Sequence, residues 1–176
     1  MDTLTDAVLL DQFRSGNAGG LSQLYTRYHG RVLRYCAGLL NDRQQAEDIV
    51  QNVFVKLNAA KHTIRSGQSL QSWLFTVARN EAYTEMSKKK ATELCDTVVW
   101  DGDSPDDELM LKERKELIDA VLQRLRLPYR DVIVLRVYEQ LSYEEIAEIT
   151  GTTVSSVKSR LFKARKALVT KLHPFL

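Results

Sequence analysis

The sequence predicts an all-α protein made of two small helical domains joined by an acidic flexible linker. Three observations carry this reading. Gly (8) and Pro (3) are scarce among 176 residues, which suits long helices better than a turn-rich β fold. Apolar residues recur at helical spacing through most of the chain. Charge is segregated: residues 1–90 hold 12 basic and 8 acidic side chains, residues 91–108 hold seven acidic and no basic ones, and residues 109–176 hold 13 basic and 8 acidic. These segments read as a first domain (1–90), a linker (91–108) and a second domain (109–176). Two basic blocks around an acidic spacer suit two bodies that each approach a polyanion.

In chain order, a short helix near Asp6–Phe13 precedes Gly16 and the Gly19-Gly20 pair, which are expected to break the chain. Leu21, Leu24, Tyr25, Tyr28, Val32, Tyr35, Cys36 and Leu39 then form one helical stripe. Asn41-Asp42 opens a second long helix, in which Ala46, Ile49, Val50, Val53, Phe54 and Leu57 make a continuous apolar face. After the polar loop Lys61–Gln68, a third helix starts near Ser69. Leu70, Trp73, Leu74, Val77 and Ala78 are its expected buried face, and it ends in Lys88-Lys89-Lys90. Residues 91–108 lose periodicity. Leu109, Leu117, Ile118, Val121, Leu122 and Leu125 predict a helix ending before Pro128, and Val132–Tyr138 another.

Several function classes are disfavoured. No apolar run reaches the roughly 18–20 residues of a membrane helix. The Met1-Asp2-Thr3-Leu4 start has neither the basic nor the apolar part of a secretion signal, so the cytoplasm is the expected compartment. Cys36 and Cys95 cannot build a disulfide scaffold or a four-thiolate zinc site, and His29, His62 and His173 lack metal-ligand spacing. There is no phosphate-cradling glycine loop, nucleophile elbow or paired carboxylate site. No catalytic residue, metal or cofactor is expected, and the protein is not read as an enzyme.

The segment 142–161 reads as a helix-turn-helix. Ser142 and Glu145 form a capping box, Gly151 supplies a left-handed helix end, and Thr153 caps the next helix. Ile146, Ala147 and Ile149 face inward, as do Val154, Val157, Leu161, Ala164 and Leu168. On a wheel of about 100° per residue, Ser155, Ser159, Phe162, Lys163 and Lys166 point outward, Ser156 lies near the edge, and Lys158, Arg160 and Arg165 flank the face. Small hydroxyls can reach base edges while flanking cations bind phosphate.

Two further faces stand out. Opposite the stripe of the second long helix lie Glu47, Asp48, Gln51, Asn52 and Lys56, which by spacing alone make an ordinary solvated surface. On the third helix, Phe75, Arg79, Tyr83 and Met86 fall opposite Trp73 and Leu74. Exposed aromatics beside Arg would suit single-stranded nucleic acid, whereas packing of Phe75 and Tyr83 on another helix of the same domain is the equally weighted alternative.

The chain resembles bacterial sigma factors of the extracytoplasmic-function group, in the sigma-70 family. The matching stretches are Ala46-Glu47-Asp48-Ile49-Val50-Gln51-Asn52-Val53-Phe54, Trp73-Leu74-Phe75-Thr76-Val77-Ala78-Arg79-Asn80, and residues 24–28, 127–132, 141–147 and 157–165, in that family's order and spacing. The resemblance implies a sigma-2 domain, a linker and a sigma-4 domain. Its implied partners are core RNA polymerase, through the β′ clamp helices and β flap, promoter DNA, and an anti-sigma factor, with no membrane insertion. Glu47, Asp48, Gln51 and Asn52 would meet the polymerase. Lys61, His62, Arg65, Phe75, Arg79, Asn80, Tyr83, Lys88 and Lys89 would read and melt the −10 element. Ser155, Ser156, Lys158, Ser159, Arg160, Phe162, Lys163, Arg165 and Lys166 would read the −35 element. Thr84 stands where the family often carries Asp.

Overall fold

The computed structural model describes residues 4–64, 69–92 and 117–173, and among these the chain is helical with no strand. The first domain contains α1 (Asp6–Arg14), α2 (Ala18–Leu40), α3 (Arg43–Ala60) and α4 (Leu70–Thr92). The second contains the helical residues 117–123 (α5), α6 (Leu127–Ile133), a π-helical turn (Val134–Tyr138), α7 (Tyr143–Thr150) and α8 (Val154–Leu172). Arg65, Cys95, Pro105, Leu109 and the acidic spacer beyond Thr92 lie outside the described residues.

Short polar side chains set the helix starts. The Asn17 side chain accepts from Gly19 N at 2.9 Å, Asp42 from Gln45 N at 3.0 Å, and Ser69 from Ser72 N at 3.2 Å. Asn41 ends α2 in the left-handed region, at φ 52°. All six expected residues of α3 are buried. The α2 stripe is buried too, except Leu21, which is half-covered, and Tyr25, whose exposed ring rests on Phe54 and His29.

Two expectations are corrected and one is refined. Gly19-Gly20 does not break the chain; Asn17 caps α2 ahead of it, and the pair sits in the first helical turn. The buried face of α4 is not the expected one: Leu70, Leu74 and Ala78 are buried, but so are Phe75 and Ala82, while Trp73 and Val77 are only half-covered. This helix is covered on two sides, by its own bundle and by the second domain. Residues 132–138 are helical but not uniformly α, widening into the π turn before Gln140 at φ 56°.

The two domains share one continuous core. α4 packs on α7, and α2 packs on the π turn and α6. A Cβ on Gly38 would stand 3.2 Å from both Val134 methyls, so α2 and the π turn are already in close contact. Arg130, buried on α6, ties the join. Its guanidinium donates to Leu122 O at 3.0 Å and Leu125 O at 3.2 Å, at the end of α5, and to Leu39 O of α2 at 2.6 Å. A helix leaves its last carbonyls without partners, and this one side chain supplies donors at two helix ends. Burial lowers the Arg130 pKa from its usual value.

Gly20 lets α1 lie directly on α2: an added Cβ would fall 2.5 Å from Leu9 O and 2.8 Å from Phe13 N, both backbone atoms. Backbone cannot retreat without moving α1, so Gly20→Ala should destabilise the fold by about 1–3 kcal/mol. At Gly19 a Cβ meets only the Asn17 side chain, at 3.0 Å. Urea denaturation of both variants checks this; a Gly20→Ala midpoint equal to that of Gly19→Ala would contradict the close approach.

Candidate nucleic-acid interface

The helix-turn-helix forms as its sequence predicts. Ser142 Oγ accepts from Glu145 N at 3.1 Å and Glu145 Oε2 accepts from Ser142 N at 2.7 Å, completing the capping box. Gly151 takes φ 61°, and its N–H donates to Ala147 O and Glu148 O. The hydroxyls of Thr150 and Thr152 meet at 2.9 Å across the turn. Ile146, Ala147 and Ile149 bury against Val157, Leu161 and Ala164, while Val154 and Leu168 are half-covered.

With that stripe turned inward, Ser155, Ser159, Phe162, Lys163, Arg165 and Lys166 are exposed, and Ser156 and Arg160 lie at the edge. Phe162 is 71% exposed, unusual for a phenyl ring on a folded surface. Lys158 leans over the Tyr143 ring at 5.6 Å, on the α7 side. Arg160 lies on the other flank, in a concave groove of about 560 Å³ shared with Ser155, Ser159, Lys163, Arg126 and Tyr129. α8 carries six cations and no acidic residue. Arg126 and Tyr129 were not anticipated from sequence, because nothing local links α6 to the outer face of α8.

On α3, Asp48, Gln51 and Asn52 are exposed beside Val55 at 68%, and half-exposed Glu47 is paired with Arg43. Lys56 pairs with Glu81 of α4. The loop after α3 is anchored from α1: Arg14 Nε donates to Lys61 O at 2.6 Å, and Arg14 also donates to Ile64 O. Lys61 Nζ lies 4.5 Å from the centre of the Phe13 ring, and His62 is exposed.

The expected exposed aromatic face of α4 is not there. Phe75 is fully buried, its ring edge-on to Tyr35 at 5.4 Å. Arg79 and Tyr83 turn toward the second domain. Arg79 Nε and Tyr83 Oη donate to Asp131 Oδ2 at 2.7 and 2.8 Å, and Tyr35 Oη donates to Asp131 Oδ1 at 2.9 Å. Phe75 thus packs within its own domain, as the alternative had it, whereas Tyr83 and Arg79 bond to the second domain, which neither reading expected. Asn80 and Lys88 remain exposed, Lys88 beside Glu85, and Lys89 lies on the helical backbone near the end of α4. Burial, reinforced by Asp131, holds the Tyr35 and Tyr83 phenols above their usual pKa. Burial would lower the Arg79 pKa, but the Asp131 charge outweighs it and the net shift is upward.

More links cross between the domains. Buried Glu139 accepts from Arg31 at 3.1 Å and Arg34 at 3.3 Å. Gln71 accepts from Arg31 at 2.6 Å and donates to Glu145 Oε1 at 2.7 Å, while Ser72 Oγ donates to Glu148 at 2.7 Å. Cys36 is buried in the core, its thiol pushed up to about 12 by burial. Among the described residues, no cluster of His, Cys, Asp and Glu could hold a metal, and no helix is long and apolar enough to cross a membrane.

Two family models match the chain: Sigma-70 region 2 over residues 24–92 and Sigma-70, region 4 over residues 115–168. The chain is 30% identical to the RNA polymerase sigma factor YlaC of Bacillus subtilis over 159 aligned positions, covering 84% of this chain and 89% of that one. It is 29% identical to the ECF RNA polymerase sigma-E factor of Haemophilus influenzae over 191 positions, covering 99% of each. The sigma factor RpoE of Bartonella quintana, solved with the anti-sigma factor NepR, superposes with a TM-score of 0.70 at 25% identity, covering 86% of this chain and 96% of that one.

The buried phenols set a limit at high pH. Tyr28, on Asp6, is raised by burial in the same way as Tyr35 and Tyr83. A phenol that ionises near 10 in the unfolded chain but stays protonated when folded contributes stability that is fully present below pH 10. That contribution is lost as pH rises through the folded value. Urea stability should fall above pH 10, and Tyr35→Phe should reduce the slope there by about one proton, ~1.4 kcal/mol per pH unit. An unchanged slope would mean that Tyr35 is not held in its neutral form.

Proposed function

Because the chain belongs to the extracytoplasmic-function group of the sigma-70 family, whose members direct promoter-specific transcription initiation by RNA polymerase, we propose that it binds core RNA polymerase through the outer face of α3 and reads two promoter elements, −10 with α4 and −35 with α8. The observation that carries this is the helix-turn-helix, whose second helix offers a hydroxyl and cation face free of acids. Helix N-terminal residues entering a major groove meet base edges, and flanking cations meet phosphate. Ser155 and Ser159 are the readers in this arrangement. Lys158 and Arg165 anchor the backbone, and Arg160 anchors from its groove.

The −10 reading rests on the loop start at Lys61 and His62, on exposed Asn80, and on Arg79 and Tyr83 once they leave Asp131. The closed arrangement is accordingly not the DNA-engaged one. Phe75, a wall between α2 and α4, does not offer a stacking surface here. The protein itself performs no covalent chemistry: opening is driven by capture of unstacked bases, the exchange that also drives base flipping. It works in the cytoplasm, where promoter and polymerase are. An anti-sigma factor is a further partner in this reading, supported by the NepR complex of the Bartonella quintana relative. Run-off transcription with core polymerase and genomic fragments tests the whole: discrete start sites that depend on the added chain are expected, and their absence would sink the proposal.

Asp48→Arg should weaken association with core polymerase at least tenfold, roughly 1.4 kcal/mol or more, while helicity and melting temperature stay at wild-type values. The side chain is exposed opposite an intact stripe, so folding does not depend on it. Unchanged affinity by fluorescence titration would remove α3 as the polymerase surface.

A library of −35 sequences transcribed at several salt concentrations separates readers from anchors. Lys158→Ala and Arg165→Ala should lower transcription across sequences, with the salt slope reduced by about one unit each. Ser155 and Ser159 substitutions should change sequence preference instead, at about 1–3 kcal/mol per base pair. The reverse pattern would show that α8 sits differently in the groove.

A further inference from the structure

Asp131 is nearly fully buried, yet the donors that satisfy its carboxylate come from the other domain. Tyr35 supplies one oxygen, and Arg79 and Tyr83 supply the other, all at 2.7–2.9 Å. Each of the three donors also has a contact inside the first domain. Tyr35 is braced by the Phe75 ring, and the Arg79 guanidinium lies 4.1 Å over the ring of Tyr83, one helical turn along α4. α2 and α4 pack on each other within one bundle, so two phenols and a guanidinium, all of the first domain, converge on one carboxylate. That is the donor set of an anion receptor.

Beyond Tyr83, the exposed surface of α4 carries Thr84, Ser87 and Lys88, the last paired with Glu85. A receptor for one negative charge on a helix that goes on to expose hydroxyls and a cation suits an extended polyanion. Guanidinium and phenol suit phosphate oxygens as they suit carboxylate oxygens.

We propose that Tyr35, Arg79 and Tyr83 form a phosphodiester-binding cup for single-stranded promoter DNA, which Asp131 occupies in cis while the two domains are closed. The proposal rests on the assignment of α4 to the −10 element and adds to it a particular ligand group, a residue of α2 and a competitor. DNA and Asp131 cannot hold the cup together, so strand binding and domain closure exclude each other there. Both phenols stay protonated at neutral pH and act as donors to either occupant.

The test is fluorescence anisotropy with a labelled single-stranded DNA of mixed sequence, on the full chain, across a range of salt. Asp131→Asn removes the competing charge. It should raise the affinity of the free chain about tenfold, the scale of one charge-assisted hydrogen bond, and steepen the salt dependence by about 0.7, one phosphate on a single strand. Adding Arg79→Gln should cancel both changes. Unchanged affinity in Asp131→Asn, or a gain that survives Arg79→Gln, overturns the proposal.

Should Asp131→Asn fail to fold, the complex of the otherwise unaltered chain with core polymerase decides alone. There Tyr35→Phe and Arg79→Gln should each weaken single-strand binding about tenfold, with Arg79→Gln also flattening the salt slope by about 0.7. If they leave it unchanged while His62→Ala and Asn80→Ala weaken it, the cup is wrong and the −10 assignment stands. If none of the four has an effect, the −10 assignment falls with it.

Discussion

A buried carboxylate has to be matched by donors, and Asp131 finds them across the join between the domains. Leaving such a charge unpaired in the interior costs about 3–5 kcal/mol, so the α6 segment cannot sit where it does unless α2 and α4 sit opposite it. The same logic recurs around the join. Glu139 requires Arg31 and Arg34, Glu145 shares Gln71, and Glu148 takes Ser72. Hydrophobic contact such as Gly38 on Val134 supplies area, but area tolerates sliding. The directional donors fix the relative position of the domains.

This arrangement also sorts charge. Four of the eight acidic side chains in residues 109–176 face the first domain. α8, on the far side, is left with cations only. A nearly neutral chain thus carries a strongly basic α8, while four carboxylates of the same domain are turned to an internal contact. The field that a polyanion meets is set by which charges are buried, and a net charge of +2 conceals it.

Much of the architecture was legible in the sequence because it is local. The α3 stripe, the Ser142–Glu145 cap, the left-handed Gly151 and the outward set on α8 each follow from spacing within a few residues. What escaped is what depends on distant partners. Periodicity on α4 identifies an apolar face but cannot show that a second domain will cover Phe75 and Tyr83 as well. Asp131 stands between Arg130 and an apolar run with its donors 48 to 96 residues away, and Gly20 is explained only by the backbone of α1. The groove behind Arg160 was missed for the same reason, since Arg126 and Tyr129 reach it from α6.

Glu145 divides its two oxygens between two tasks. One accepts the Ser142 N–H and closes the start of α7; the other accepts from Gln71 of the first domain. Loss of the second bond leaves the first in place. The turn between α7 and α8 is likewise held from within, by the Gly151 and Thr152 N–H groups on α7 carbonyls and by the Thr150–Thr152 hydroxyl pair. The end of α7 and the start of α8 are therefore joined by bonds internal to the second domain, and none of these uses a residue of the first. The angle between α7 and α8 is thus set by the helix-turn-helix itself rather than by its contact with the first domain.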